Sequence, residues 1–287
     1  EHFEDGALAV ALSVPALAGC WLGPRSPGSG GMVLLREALG GPGVVGGPAA
    51  LVGVLVSAAR MAGVELRAGE PVERVLVRDG RAWGVALTSG ETLAADDVVL
   101  ACDPRHALLE LVPRDALGDG LRRRVASWRC RGTTARLDLA LDAPAVLRDA
   151  VHGEPLARAV LGARDLDELE LAFNAVKYGD FSRPPVLDVW QPTLEDPSLA
   201  PSGQHVLSVV VSWVPHDLRG GWTDARRAEL RQAVFAVLDE QLPGLAGHVL
   251  GERLLTPVDL AERHGLTGGH LLHGELALDQ LLHMRPD

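Results

Sequence analysis

Residues 72–104 hold the pattern that most restricts the fold. Residues 72–77 and 82–87 are two runs of strand-forming residues separated by Arg78-Asp79-Gly80-Arg81, and Asp-Gly between such runs predicts a tight hairpin turn. Ser89-Gly90 turns the chain again into residues 91–93, so a three-stranded meander is expected. The next segment, "VVLAC" at 98–102, is an unbroken apolar run ended by Asp103-Pro104. That is the pattern of a strand covered on both faces in a parallel sheet. Ligands collect at the carboxyl ends of such strands, which makes this corner the first candidate for a cofactor contact.

The segments on either side extend the reading. Gly46-Gly47 followed by Pro48 opens an apolar stretch that Gly63 closes, predicting a buried helix of about four turns. Residues 64–67 read as a short strand. Downstream, residues 135–142 alternate like a half-buried strand, 165–176 read as an amphipathic helix and 205–214 as a long strand. From Thr223 a further helix places Leu230, Val234, Val237, Leu238 and Leu242 on one stripe and stops at Pro243-Gly244. Strands and helices without a regular alternation predict an α/β (α+β mixed) protein, a mixed sheet capped by helices on one face.

Composition excludes several functions. A formal net charge of -11 argues against a nucleic-acid surface, which needs a basic face. The five arginines of "LRRRVASWRCR", 121–131, read as a solvated helix face leading into a strand. Cys20, Cys102 and Cys130 are isolated, odd in number and not spaced for zinc, which fits a reducing, cytoplasmic compartment. The uncharged run 7–23 is short, contains Pro15 and follows an acidic segment, so a buried core segment is expected rather than a membrane span. The chain opens at Glu1 without Met and reads as cut from something longer.

Three motifs bear on chemistry. "GPGVVG", 41–46, matches G-x-G-x-x-G with Glu65 downstream, but Pro42 lacks an amide where a phosphate turn needs one, and no convincing strand precedes it. Gly46-Gly47 at a helix start is the better place for close approach of a ligand. His270 and His273 form H-x-x-H beside Glu275. The surrounding glycines argue against a helix that would aim both rings at one metal, so no metal is expected, and ordinary hydrogen bonding in a loop near the core is the plainer reading. No G-x-S-x-G elbow is present.

The stretch 46–104, together with 194–222 and "ERHGLTGGHLLHGELALDQLLHMRP" at the end, resembles the phytoene-desaturase-related FAD oxidoreductases of the flavin amine oxidase superfamily. It is most similar to the branch of pyridine nucleotide-disulfide oxidoreductase domain-containing proteins. The resemblance covers nearly the whole chain and implies a two-lobed enzyme that passes hydride from the C–H of an apolar substrate to flavin. It implies a partial FAD-binding lobe at 46–104, a substrate lobe from 1–45 and 105–270, and a return segment, 271–287, heading toward the cofactor lobe. Gly46, Gly47, Val72, Ala101, Cys102, Asp103 and Pro104 would lie at the cofactor; Trp213, His270 and His273 would line the substrate chamber. His273 and Glu275 are the only candidates for a catalytic role. The N-terminal glycine fingerprint and the final flavin segment of the family are missing, so weak or absent FAD binding is expected for this chain alone. The alternative is a non-catalytic module that docks onto a separate flavoprotein. Peripheral membrane contact stays open, as does the oligomeric state.

Overall fold

The computed structural model describes residues 5–40, 43–281 and 284–285. Gly41 and Pro42 of the glycine-rich match therefore lie outside the described residues, as do Leu282, His283, Pro286 and Asp287 of the return segment. The elements in chain order are α1 Gly6–Leu17, α2 Ser29–Leu39, α3 Gly47–Met61, β1 Val72–Arg78, β2 Arg81–Leu87, β3 Thr92–Ala94, the single turn α4 Pro104–His106 and α5 Asp119–Ser127. They continue with β4 Thr134–Leu141, β5 Arg158–Leu161, α6 Leu166–Lys177, β6 Val186–Trp190, β7 His205–Ser212, α7 Asp224–Gln241, β8 Val249–Leu255 and α8 Pro257–His264.

The meander forms as expected, in the order β1-β2-β3 with antiparallel pairing. Asp79 and Gly80 both take positive φ, 52° and 74°, the backbone that lets a two-residue turn follow the strand twist. The larger sheet has the order β5-β6-β7-β4-β8. The α/β organisation is the one expected, and within this sheet every pairing is antiparallel.

Side-chain alternation decides where the core sits. Ala135, Leu137, Leu139 and Leu141 of β4 point to one face with Val209 and Val211 of β7, and meet Leu230, Val234 and Leu238 of α7. Thr223 caps α7, its hydroxyl accepting the Arg226 amide, and Leu242 is buried just beyond the helix end. Each of these buried leucines and valines contributes about 1.5–3 kcal/mol. A second cluster joins Val10, Val14 and Leu17 of α1 to Leu169, Phe173 and Val176 of α6 and to Trp213. The uncharged run 7–23 is thus a core segment, and no described helix is long and apolar enough to cross a membrane.

Three expectations require correction. Residues 64–67 and 98–102 form no strand and belong to neither sheet. A parallel-sheet strand exists only by hydrogen bonding to neighbours, and none of the described strands lies beside them; Val99 is 88% exposed. Helix α3 forms, yet it is not buried: Val52, Val54, Leu55 and Met61 are exposed, and of its residues only Gly47 is buried. Its apolar composition is that of a covered helix, but no described element covers it.

Candidate functional site

Asp103 is the point at which distant parts of the chain meet. It caps α4, where Pro104 supplies a preset φ, and its Oδ1 accepts from the Arg105 and His106 amides at 3.0 and 3.3 Å. The Thr267 hydroxyl donates to the same oxygen at 2.6 Å, and the Thr267 amide donates to Oδ2 at 3.2 Å. His273 Nδ1 lies 3.3 Å from Oδ2. Burial opposes ionisation of Asp103, but hydrogen bonds from Thr267, His273 and His106 outweigh it and hold its carboxyl below the usual range.

Glu275 makes a second tie. It is 2% exposed; Arg131 donates through Nε and Nη2 to its two oxygens at 2.5 and 2.8 Å, and Arg129 Nε adds a bond at 3.1 Å. Burial raises its pKa, and the two guanidiniums more than reverse that, leaving the carboxyl below its ordinary range. Gln280 completes the seam by accepting the Arg129 amide at 2.9 Å and donating to the Arg129 carbonyl at 3.2 Å. Gly274, at φ 132°, lies against the Trp128 indole so closely that a Cβ there would collide with it. Residues 267–280 are therefore strapped to residues 128–132.

His270 and His273 do not converge. His270 is fully buried, and its Nδ1 accepts the Leu272 and Gly274 amides at 3.2 and 3.3 Å. Nε2 consequently carries the proton, and among the described residues it has no partner. Burial pushes this imidazole down to about 4. Among the described residues no His, Cys, Asp and Glu group could hold a metal ion.

A cavity of about 360 Å³ opens beside these ties, lined in part by Trp21, Arg105, Trp128, Arg131, His216 and Thr267. Its cations are already engaged: Arg105 donates to the Ala126 and Trp128 carbonyls, and Arg131 stacks on Trp21 at 4.1 Å while holding Glu275. Burial pushes the Cys130 thiol on its wall up to about 11, so it is no nucleophile at neutral pH.

The remaining site candidates are scattered. Ala101 and Cys102 are exposed on the way into buried Asp103, and Val72 begins β1 opposite Leu87. Trp213 is buried, with Nε1 donating to the Leu22 carbonyl at 3.0 Å. Trp213, His270 and His273 line neither this cavity nor the larger one at the sheet edge. Gly46 and Gly47 stand at the start of α3 with left-handed φ of 81° and 72°. The Gly46 amide donates to Asp196 Oδ2 at 2.6 Å. Sequence reasoning missed Arg129, Arg131, Thr267 and Asp196, whose partners lie far away along the chain.

Whether these residues suit a dinucleotide can be judged from the geometry. A pyrophosphate needs free amides at a glycine-rich helix start. Here the described helix start already holds a carboxylate, so the residues present do not form a phosphate cradle. Apolar side chains of α3, Val52, Val54, Leu55 and Met61, are exposed, as is Val99.

Comparison with known proteins fixes the family. The flavin containing amine oxidoreductase family profile matches residues 34–261, and the chain belongs to that family. It is 31% identical over 304 residues to pyridine nucleotide-disulfide oxidoreductase domain-containing protein 2 of Rattus norvegicus, covering 100% of this chain and 52% of that protein. It is also 31% identical over 259 residues to all-trans-zeta-carotene desaturase of Myxococcus xanthus, covering 88% of this chain and 47% of the desaturase. An oxidoreductase from Methanosarcina mazei shares the fold with a TM-score of 0.54 at 19% identity, over 86% of this chain and 52% of that one. The chain thus spans about half the length of the curated relatives it matches.

Proposed function

We propose that this chain is the substrate lobe, with part of the cofactor lobe, of an FAD-dependent oxidoreductase acting on an apolar substrate. The observation that carries the reading is the exposure of apolar side chains, Val52, Val54, Leu55 and Met61 of α3 and Val99, in a chain whose meander is intact. An apolar helix and an unpaired apolar run are stable in water only at a cost, and further strands of a nucleotide-binding sheet would remove it. Carotenoid desaturases among the relatives support an apolar substrate.

When bound, FAD supplies a two-electron acceptor for hydride from a substrate C–H. In this proposal Gly46 and Gly47 allow close backbone approach, and Val72 and Ala101 to Pro104 border the cofactor. Trp213 and His270 stiffen the substrate side from within. His273, exposed and tied to Asp103, is the one member of the histidine–glutamate pair placed to hold a proton at the surface. Glu275 is committed to two arginines and serves the fold. Hydride transfer requires orientation and exclusion of water more than an acid–base pair.

A second reading, a module that docks onto a separate flavoprotein, is favoured by the Gly46 amide being taken by Asp196. One experiment separates the two. The polypeptide extended at both ends should purify yellow with one FAD per chain, while residues 1–287 alone should bind FAD weakly or not at all. A colourless longer protein would overturn the first reading, and tight stoichiometric binding by residues 1–287 would contradict the absence of a phosphate cradle.

A further inference from the structure

A second cavity, of about 1040 Å³, opens at the outer edge of the five-stranded sheet. Its floor is the end of β5 and the residues after it, Val160 to Arg164. One wall is the face of α6 that carries Ala172 and Ala175, another is the end of α7 at Val237, and the 180–184 loop forms a third side. It shares no lining residue with the cavity beside Asp103.

Two small side chains, Ala172 and Ala175, are among those on the lining. Positions 168, 171, 172 and 175 of α6, with Tyr178 just beyond its end, fall on one face by their spacing. Leu169, Phe173 and Val176 of this helix fill the core, Ala172 belongs to the same cluster and also borders the groove, and Ala175 lines it. The apolar surface there is completed by Leu161, Phe181 and Val237. A volume near the upper end of the roughly 300–1,000 Å³ typical of ligand sites is enough for a sizeable organic molecule.

The polar groups are unevenly distributed along the groove. Arg164 is paired with Glu168, and Arg183 with Asp180 and Glu229. Among the described residues the buried Ser182 hydroxyl has no hydrogen-bond partner. Among the described residues the Arg219 guanidinium on the lining has no hydrogen bond or ion pair. Both stand at the end of the groove where Asp180 is tied to Arg226 in the first turn of α7. The carboxylate of the lining that has no partner among the described residues, Glu240, stands in the last turn of α7. At a rise of 1.5 Å per residue, about 20 Å of helix separates Arg226 from Glu240. The groove thus runs along α7 with apolar and charged side chains interspersed on its walls, the Arg219 guanidinium toward one end and the Glu240 carboxylate toward the other.

We propose that this groove binds a single-chain amphiphile with a carboxylate head, a long-chain fatty acid or a molecule of that form. The head is held by the Arg219 fork and the Ser182 hydroxyl, and the chain lies over Ala172, Ala175 and Val237 toward Glu240. A guanidinium suits a carboxylate geometrically, and a ligand oxygen gives the stranded hydroxyl the partner it lacks. The proposal is independent of the flavin reading, because it is tested by binding to residues 1–287 without cofactor.

The test is calorimetric titration of the chain with hexadecanoate below its aggregation threshold, with the hexadecanoate methyl ester, acetate and vesicles of anionic phospholipid as comparators. One saturable site for hexadecanoate is expected, with weaker binding of the ester and none of acetate. Ala175→Phe, which fills the groove, should abolish binding, and Arg219→Ala should weaken it about tenfold. Absence of saturable binding, or binding to vesicles but not to the monomeric acid, would overturn the proposal. Ala175→Phe can fail to fold, which circular dichroism reports; Arg219→Ala changes an exposed side chain, and unaltered hexadecanoate affinity in that variant also overturns the proposal.

Discussion

The Thr267 hydroxyl donates to the Asp103 carboxylate at 2.6 Å across 164 residues of sequence. This bond joins the end of the meander unit to the segment that follows α8, and the same carboxylate caps α4. Removing it strips the cap and leaves the Thr267 donors unpaired. Asp103→Ala should therefore lower stability by about 2–4 kcal/mol, measured by the urea midpoint, with Asp103→Asn losing less.

Glu275 is expected to behave as a structural carboxylate. Glu275→Ala leaves Arg129 and Arg131 without their shared counter-ion and should cost about 3 kcal/mol. Because both arginines reach solvent, Glu275→Gln should cost less than the alanine change. Equal stability of the alanine variant and the parent in denaturant titration would contradict this role.

Stability should fall toward acid in two stages. The folded pKa of His270 is depressed from 6.5 to about 4 by burial, so below pH 6.5 the unfolded chain binds a proton that the folded chain excludes. Stability declines from there toward pH 4, by about 3 kcal/mol in all. Asp103 and Glu275 are held below their ordinary values of 3.8 and 4.5. Their contribution is complete above that range and is lost at lower pH, as each folded carboxyl protonates. Unfolding followed from pH 7 to pH 3 should show both limbs, and His270→Leu should flatten the first alone.

Gly274→Ala should destabilise by about 2 kcal/mol or more, since it combines φ of 132° with a Cβ driven into the Trp128 indole. The near-ultraviolet circular dichroism of Trp128 gives a direct reading of the displacement.

On α3 the expectation is reversed. Val54→Glu and Leu55→Glu alter exposed positions and should change the stability of residues 1–287 by less than about 0.5 kcal/mol. In the polypeptide extended at both ends, the same changes should release flavin, followed by its absorbance after gel filtration.

What could be read in advance followed local rules. Asp79-Gly80 fixed the hairpin through positive φ, and Thr223 with the Leu230, Val234 and Leu238 stripe fixed α7 through capping and burial. The failures depended on neighbours. "VVLAC" has the composition of a central strand, but a strand is a relation between segments, and Val99 meets solvent. β8 escaped notice because an edge strand with Glu252 and Arg253 exposed carries no apolar alternation. Of the candidate site, Asp103, His273 and Glu275 were legible as unusual residues, and Asp103 and His273 do meet. The partners of Glu275, Arg129 and Arg131, looked like members of a solvated basic run, because nothing in a linear sequence marks a contact spanning 144 or 146 residues.

Asp196 gives α3 its own anion. With one oxygen on the Gly46 amide and the other on Ser198, its carboxyl is held below the ordinary range. Any phosphate arriving at that helix must displace a resident charge to gain the Gly46 amide. Affinity for anions there is set by an exchange, so loosening the 196–198 turn, as with Ser198→Gly, would tune ligand occupancy without touching a ligand contact.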